Sequence, residues 1–175
     1  MGNPTTPIRV LGARPYPEVR ALCHAVKASD PAALRLAAVQ LAGGLPGGCV
    51  LIPVPGRSGV PGYTLRLSEL IRDEMSLLGK SASVEDAIRT NPHPSLNEAK
   101  HKGIPPADIP ITAAWKDGRT ERRIARLITE KGALPVLVDN VVDTGHTARS
   151  CALPFRSIGI EEISVAAIGD TFENQ

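Results

Sequence analysis

From Tyr16 onward, apolar residues fall at Val19, Leu22, Cys23 and Val26, the three- and four-residue spacing of an amphipathic helix. Asp30 followed by Pro31 pairs a helix-capping residue with a proline suited to the first helical position. It opens a second helix, rich in Ala and Leu, that ends at Gly43-Gly44. The first 15 residues, with Pro4, Pro7 and Pro15, predict an extended lead-in. Cys49 to Val54 is a short apolar run between Gly-Gly and Pro, the mark of a buried strand. After a Gly/Pro-rich loop over 55–62, Leu67, Leu70, Ile71, Met75 and Leu78 share one face of a third helix, which stops at Gly79.

Between Ser81 and Pro110 the pattern breaks down. Five prolines rule out a long helix, and Lys100, His101 and Lys102 form a basic cluster. A long irregular stretch of this kind inside a domain predicts a functional lid or a disordered segment. Helical spacing resumes from about Arg119, with Ile124, Leu127 and Ile128 on one face, and ends at Gly132. Val136 to Val142 predicts a strand interrupted by Asp139 and Asn140. A helical segment follows to Gly159, broken by Pro154, and Ile163 to Ile168 predicts a final strand. Helices alternating with almost wholly apolar strands predict one α/β domain over 1–175, its mostly parallel sheet covered on both faces.

Composition refines this picture. A chain of 175 residues buries about 70% of its unfolded surface. With 42% hydrophobic residues but only 3% aromatic, its core must be aliphatic. A net charge of +2 is too small to predict nucleic-acid binding without a clustered basic face. Cys23, Cys49 and Cys151 form no metal-ligand or C-x-x-C pair, so they predict buried free thiols in a reducing, cytoplasmic setting. No apolar run reaches the length of a signal core or of a membrane span.

The chemistry concentrates in the stretch VLVDNVVDTGHT, Val136 to Thr147. A buried parallel strand has use for Asp139 and Asn140 only at its exposed carboxyl end, where open α/β sheets bind ligands. Gly145 lets backbone approach a ligand, and Thr144 and Thr147 add hydroxyls, which together suit a phosphate monoester. No Walker-type G-x-x-x-x-G-K-[ST] occurs. The stretch closely resembles the phosphoribosyl-pyrophosphate (PRPP) signature of type I phosphoribosyltransferases. That resemblance implies that Asp139 and Asn140 contact the ribose hydroxyls, and that Asp143, Thr144, Gly145, His146 and Thr147 bind the 5′-phosphate. It also implies Asp143 as general base and Mg²⁺ as cofactor, with Asp139 serving the metal indirectly. The family pattern has a second carboxylate where this chain has Asn140. A neutral amide gives up a charge-assisted bond, so Asn140→Asp is expected to tighten PRPP binding.

A pyrophosphate needs a second loop. Pro55, Gly56, Arg57, Ser58 and Gly59 follow the first predicted strand at the position where type I enzymes place it. Gly56 and Gly59 would free amides to point inward, Arg57 would grip phosphate, and the family implies a strained or cis peptide near Gly56. The segments around 50–102 also loosely resemble competence-associated phosphoribosyltransferase-like proteins. This implies that Arg89 to Gly103 is a flexible loop closing over PRPP, bringing Lys100 and Lys102 to the pyrophosphate. His93 and His101 are weaker substrate-contact candidates in it. Seven residues after Ile168 are too few for a base-selecting hood, so the hood falls to the N-terminal helical region (1–45), to 81–110, or to both.

The implied activity is transfer of phosphoribosyl from PRPP to a nitrogen nucleophile, a nucleobase by family analogy, with release of pyrophosphate. The alternatives are a non-catalytic PRPP sensor and a nucleic-acid-handling protein on the same fold. PRPP and a base are the expected partners, a membrane is not, and pairing into a homodimer stays open.

Overall fold

A computed structural model describes residues 7–171 and is α/β throughout. In chain order the elements are β1 (Ile8–Leu11), β2 (Arg14–Pro15), α1 (Tyr16–Lys27), α2 (Pro31–Gly44), β3 (Cys49–Pro53) and α3 (Tyr63–Leu77). Then come β4 (Ala82–Val84), β5 (Ile88–Thr90), α4 (Leu96–His101), β6 (Ala113–Trp115) and α5 (Gly118–Lys131). The last are β7 (Leu134–Val138), β8 (Val141–Val142), α6 (His146–Ala152), β9 (Ile163–Ala166) and β10 (Gly169–Asp170).

Five strands form one parallel sheet in the order β1-β9-β7-β3-β4, flanked by helices. This architecture is consistent with a type I phosphoribosyltransferase-like fold. Because the central strands are covered on both sides, alternate residues feed two cores. Leu51, Val136 and Val138 pack with α1, α2 and α3, while Val50, Ile52, Leu137 and Val165 pack with α5 and α6. Both cores are aliphatic except for Phe155, fully buried, whose ring lies 4.7 Å from that of Trp115.

Local chemistry sets the element ends. The Asp30 carboxylate accepts from the Ala33 amide at 2.8 Å to cap α2, and Gly132, with φ 64°, closes α5. α6 stops at Ala152 and passes into a 3-10 turn over Leu153–Ile158, as Pro154 requires.

Several expected boundaries move. Residues 8–11 of the lead-in form the edge strand β1, paired with β9, while Pro4 lies outside the described residues. The strand expected to run from Val136 to Val142 stops at Val138, and β8 joins β2 and β10 in a small second sheet. The final run is likewise divided, into β9 and β10. Leu78 lies beyond α3 and is exposed. The 81–110 stretch is the largest departure. It contains β4, one strand of the antiparallel β5–β6 ribbon, the short helix α4 and a 3-10 turn at Pro106–Asp108. The excursion between β5 and β6 has a small core of its own, in which Leu96 packs on Ala99, Ile109 and Ile111.

Candidate functional site

Strands β3 and β7 are adjacent in the sheet, yet the chain leaves β3 toward β4 and leaves β7 toward β9, so they flank the switch point of the fold. The Val54 amide donates to the Val138 carbonyl, and the loops after the two strands therefore start side by side. A cleft of about 450 Å³ opens there. Its floor is the segment from Asp139 to Ala148. One wall is α1, the other is α4 and its flanks, and Arg57 stands at the rim.

Most of the expected site residues meet in this cleft. Asp139, Asn140, Asp143, Thr144, Gly145, His146 and Thr147 all border it, with Arg57 and Lys100. Gly145 has φ 71°, a left-handed conformation that lets the chain turn sharply into α6. His146 turns aside: its Nε2 sits 2.8 Å from the Ile109 carbonyl, tying the excursion to the floor.

Other expected contacts are absent. Arg89 lies in β5, where Asp86 takes its guanidinium fork at 2.6 and 2.7 Å, and it does not border the cleft. Pro55, Gly56, Ser58, Gly59 and Lys102 do not border it either. The Gly56 and Gly59 amides are used within their own turn, bonding to the Val60 and Gly56 carbonyls. No cis peptide occurs among the described residues, and the left-handed glycine of this turn is Gly59, φ 85°. That residue has no room for a side chain, because an added Cβ would overlap the Thr90 carbonyl oxygen. The turn is also stitched to the excursion by Thr90 N–H to Gly59 O and His93 N–H to Arg57 O. Of the two histidines, His101 borders the cleft and His93 does not.

The two residues that follow β7 differ in role. Asn140 is built into the framework: its Oδ1 accepts from the Tyr63 hydroxyl at 2.8 Å and its Nδ2 donates to the Cys23 carbonyl at 3.4 Å. Its backbone carbonyl accepts from the Ile168 and Gly169 amides. Asp139 is partly buried, and its Oδ1 accepts from the Asn140 amide at 2.7 Å. Burial pushes its carboxyl up to about 6, with the Asn140 amide and the Lys27 charge opposing the shift. The same burial, together with Asp139, raises the Cys23 thiol to about 11, so this cleft-lining cysteine stays a thiol at neutral pH. All three cysteines are free and buried.

Asp143 is exposed and held at both oxygens, by Thr171 Oγ1 at 2.6 Å and by Lys100 Nζ at 3.3 Å. Arg57 faces Glu98 of α4 at 3.5 Å. Polar contacts from Glu98, Lys100 and Ile109 thus carry the excursion across the cleft.

Sequence reasoning missed the α1 wall. Tyr16, Arg20, Cys23, His24 and Lys27 all border the cleft. The signal was present, since Tyr16, Arg20, His24 and Lys27 recur at helical spacing beside the apolar stripe that predicted the helix.

Among the described residues no three His, Cys, Asp or Glu side chains converge as a metal cluster. No helix there is long and apolar enough to cross a membrane. No protein-family model matches the chain, and no curated protein matches it in sequence.

Proposed function

We propose that the chain binds PRPP in this cleft and transfers its phosphoribosyl group to a nitrogen nucleophile, releasing pyrophosphate. The observation that carries the reading is the convergence, at the switch point, of the Asp139–Thr147 segment with Arg57, Lys100, Arg20 and Lys27. Four cationic side chains against two carboxylates suit a polyanion.

Within this reading the loop from Asp143 to Thr147 holds the 5′-phosphate, Asp139 accepts from a ribose hydroxyl, and Arg57 and Lys100 turn to the pyrophosphate. Asn140 acts by fixing the end of β7 rather than by touching ribose, because both ends of its amide are engaged. The C1–oxygen bond to pyrophosphate breaks as the bond from C1 to the acceptor nitrogen forms. Asp143, released from Lys100, takes the acceptor's proton where there is one to lose. Closure of the excursion over bound PRPP would exclude water and strengthen the charge interactions beneath it. One partly buried carboxylate, Asp139, fits a Mg²⁺ that keeps its water and phosphate oxygens, since such an ion needs few protein ligands. Bound there, it would offset charge on the departing pyrophosphate.

The test is a melting-temperature series with Mg²⁺ and PRPP on the wild type, Asp139→Ala and Thr147→Ala. At about 100 times its dissociation constant a ligand adds roughly 2.7 kcal/mol, and the shift should shrink in both variants. No shift in the wild type would sink the reading. A second reading, a PRPP sensor without turnover, is favoured by Lys100 holding Asp143. PRPP binding without pyrophosphate release across a panel of nucleobases would select it. Steeply salt-dependent DNA or RNA binding would instead favour nucleic-acid handling.

A further inference from the structure

The proposed function counts Arg20 and Lys27 toward the positive charge of the cleft but assigns neither a group of the substrate. Asp143 to Thr147, Arg57 and Lys100 account for the phosphates of PRPP, yet Arg20 and Lys27 also border the cleft. They stand on the exposed side of α1, whose other side buries Val19 and Val26. Neither Arg20 nor Lys27 has a hydrogen bond or ion pair among the described residues. The single carboxylate of α1, Glu18, is taken by Arg14 at 2.9 Å and does not border the cleft. Between the two cations the same wall presents His24, whose Nε2 is 3.2 Å from the Tyr16 hydroxyl. Two cations outside any ion pair and two planar rings therefore line one side of the cavity.

Position separates this wall from the pyrophosphate side. Arg57 enters from the β3 side of β7. α1 packs against the segment that follows β9, where an added Cβ on Gly169 would meet Val19, Cys23 and the Tyr16 backbone. An uncharged acceptor would leave Arg20 without a counter-charge and Lys27 facing only the Asp139 carboxylate. Anionic oxygens would pair with both, and a guanidinium can grip a carboxylate or a phosphate with two parallel bonds.

We propose that the α1 wall selects a negatively charged acceptor, a planar nitrogen heterocycle bearing a carboxylate or phosphate. Arg20 and Lys27 hold the anionic substituent while Tyr16 and His24 lie along the ring. The proposal rests on the phosphoribosyl-transfer reading for the word acceptor, but the anion selectivity stands on the wall itself.

The experiment is calorimetric titration of the full chain, with and without Mg²⁺ and PRPP, using matched ligands. Orotate is compared with uracil, and nicotinate and pyridine-3-phosphonate with nicotinamide. The anionic member of each set should bind at least about 10-fold more tightly, and the two pyridine anions tell a carboxylate site from a phosphate site. Arg20→Gln and Lys27→Gln should each remove most of that preference, with Arg20→Lys restoring part of it. Both side chains are exposed, so the variants should fold, which thermal melts followed by circular dichroism check. Equal affinities within the sets, a preference that survives both Gln variants, or no binding by any of the ligands overturns the proposal. A preference for anions without any PRPP-induced melting shift would retain the anion site and discard phosphoribosyl transfer. A PRPP shift without the preference would do the reverse.

Discussion

Asn140 bonds through both ends of its amide, to Tyr63 on α3 and to Cys23 on α1, and so ties two helices to the end of β7. Asn140→Asp keeps the acceptor facing Tyr63 but sets a carboxylate oxygen against the Cys23 carbonyl. A lost bond of this kind, with a repelled acceptor in its place, costs about 1–3 kcal/mol. The denaturant midpoint should fall accordingly, and PRPP should bind no more tightly than to the wild type. That reverses the expectation drawn from residue types alone, and tighter binding would show that Asn140 turns to the ribose. Asp139 gives a pH signature. Its carboxyl is raised from 3.8 to about 6 by burial, so the folded protein keeps a proton that the unfolded chain has released. Stability from this group is present at low pH and is lost as pH rises from about 4 to about 6. Asp139→Asn should therefore gain on the wild type through that window, reaching a gap on the order of 3 kcal/mol that stays flat above it. Melting temperatures from about pH 3.5 to about pH 8 would check this, and a gap that is constant throughout would exclude Asp139 as the source.

At the scale of elements, the turn after β3 and the excursion act as one unit. Gly59 sits at φ 85° with the Thr90 carbonyl where a side chain would be. Gly59→Ala should cost more than about 2 kcal/mol, combining left-handed strain with a forced shift of β5, and chemical denaturation reads it directly. The ion pair between Arg57 and Glu98 is exposed on both sides and worth about 0–1 kcal/mol. Yet it occupies the cation proposed for pyrophosphate. Glu98→Gln should leave stability nearly unchanged and tighten PRPP severalfold, and an unaltered dissociation constant would show that the pair does not compete. Signals confined to neighbouring residues made many elements readable in the sequence: Asp30-Pro31 for the start of α2, Gly132 for the end of α5, Pro154 for the end of α6. The excursion was not readable in this way. Its prolines correctly excluded a long helix, but its order comes from Ile109 and Ile111 meeting Ala99 across a loop, which no local pattern encodes.

For the whole molecule, the parallel sheet followed from runs such as Cys49 to Val54, in which every residue is apolar because both faces are covered. Continuous runs of this kind carry no alternation, so they left the neighbour order open. Edge strand β1 escaped notice because its burial is only partial. The floor of the candidate site was readable because VLVDNVVDTGHT is contiguous. The α1 wall was not, since more than 100 residues separate Lys27 from Asp139 and only the fold brings them to one cavity. The meeting of Trp115 and Phe155 is a product of the same kind of long-range closure. Trp115 is the only tryptophan in the chain; it ends β6, where the excursion rejoins the body, and its indole N–H donates to Ser157 at 3.2 Å. The protein therefore has a built-in fluorophore at the junction between the excursion and the body. Excitation of that single indole reads the junction in solution without a label. If a ligand draws the excursion inward, the emission maximum should move at the ligand concentration that half-saturates the cleft.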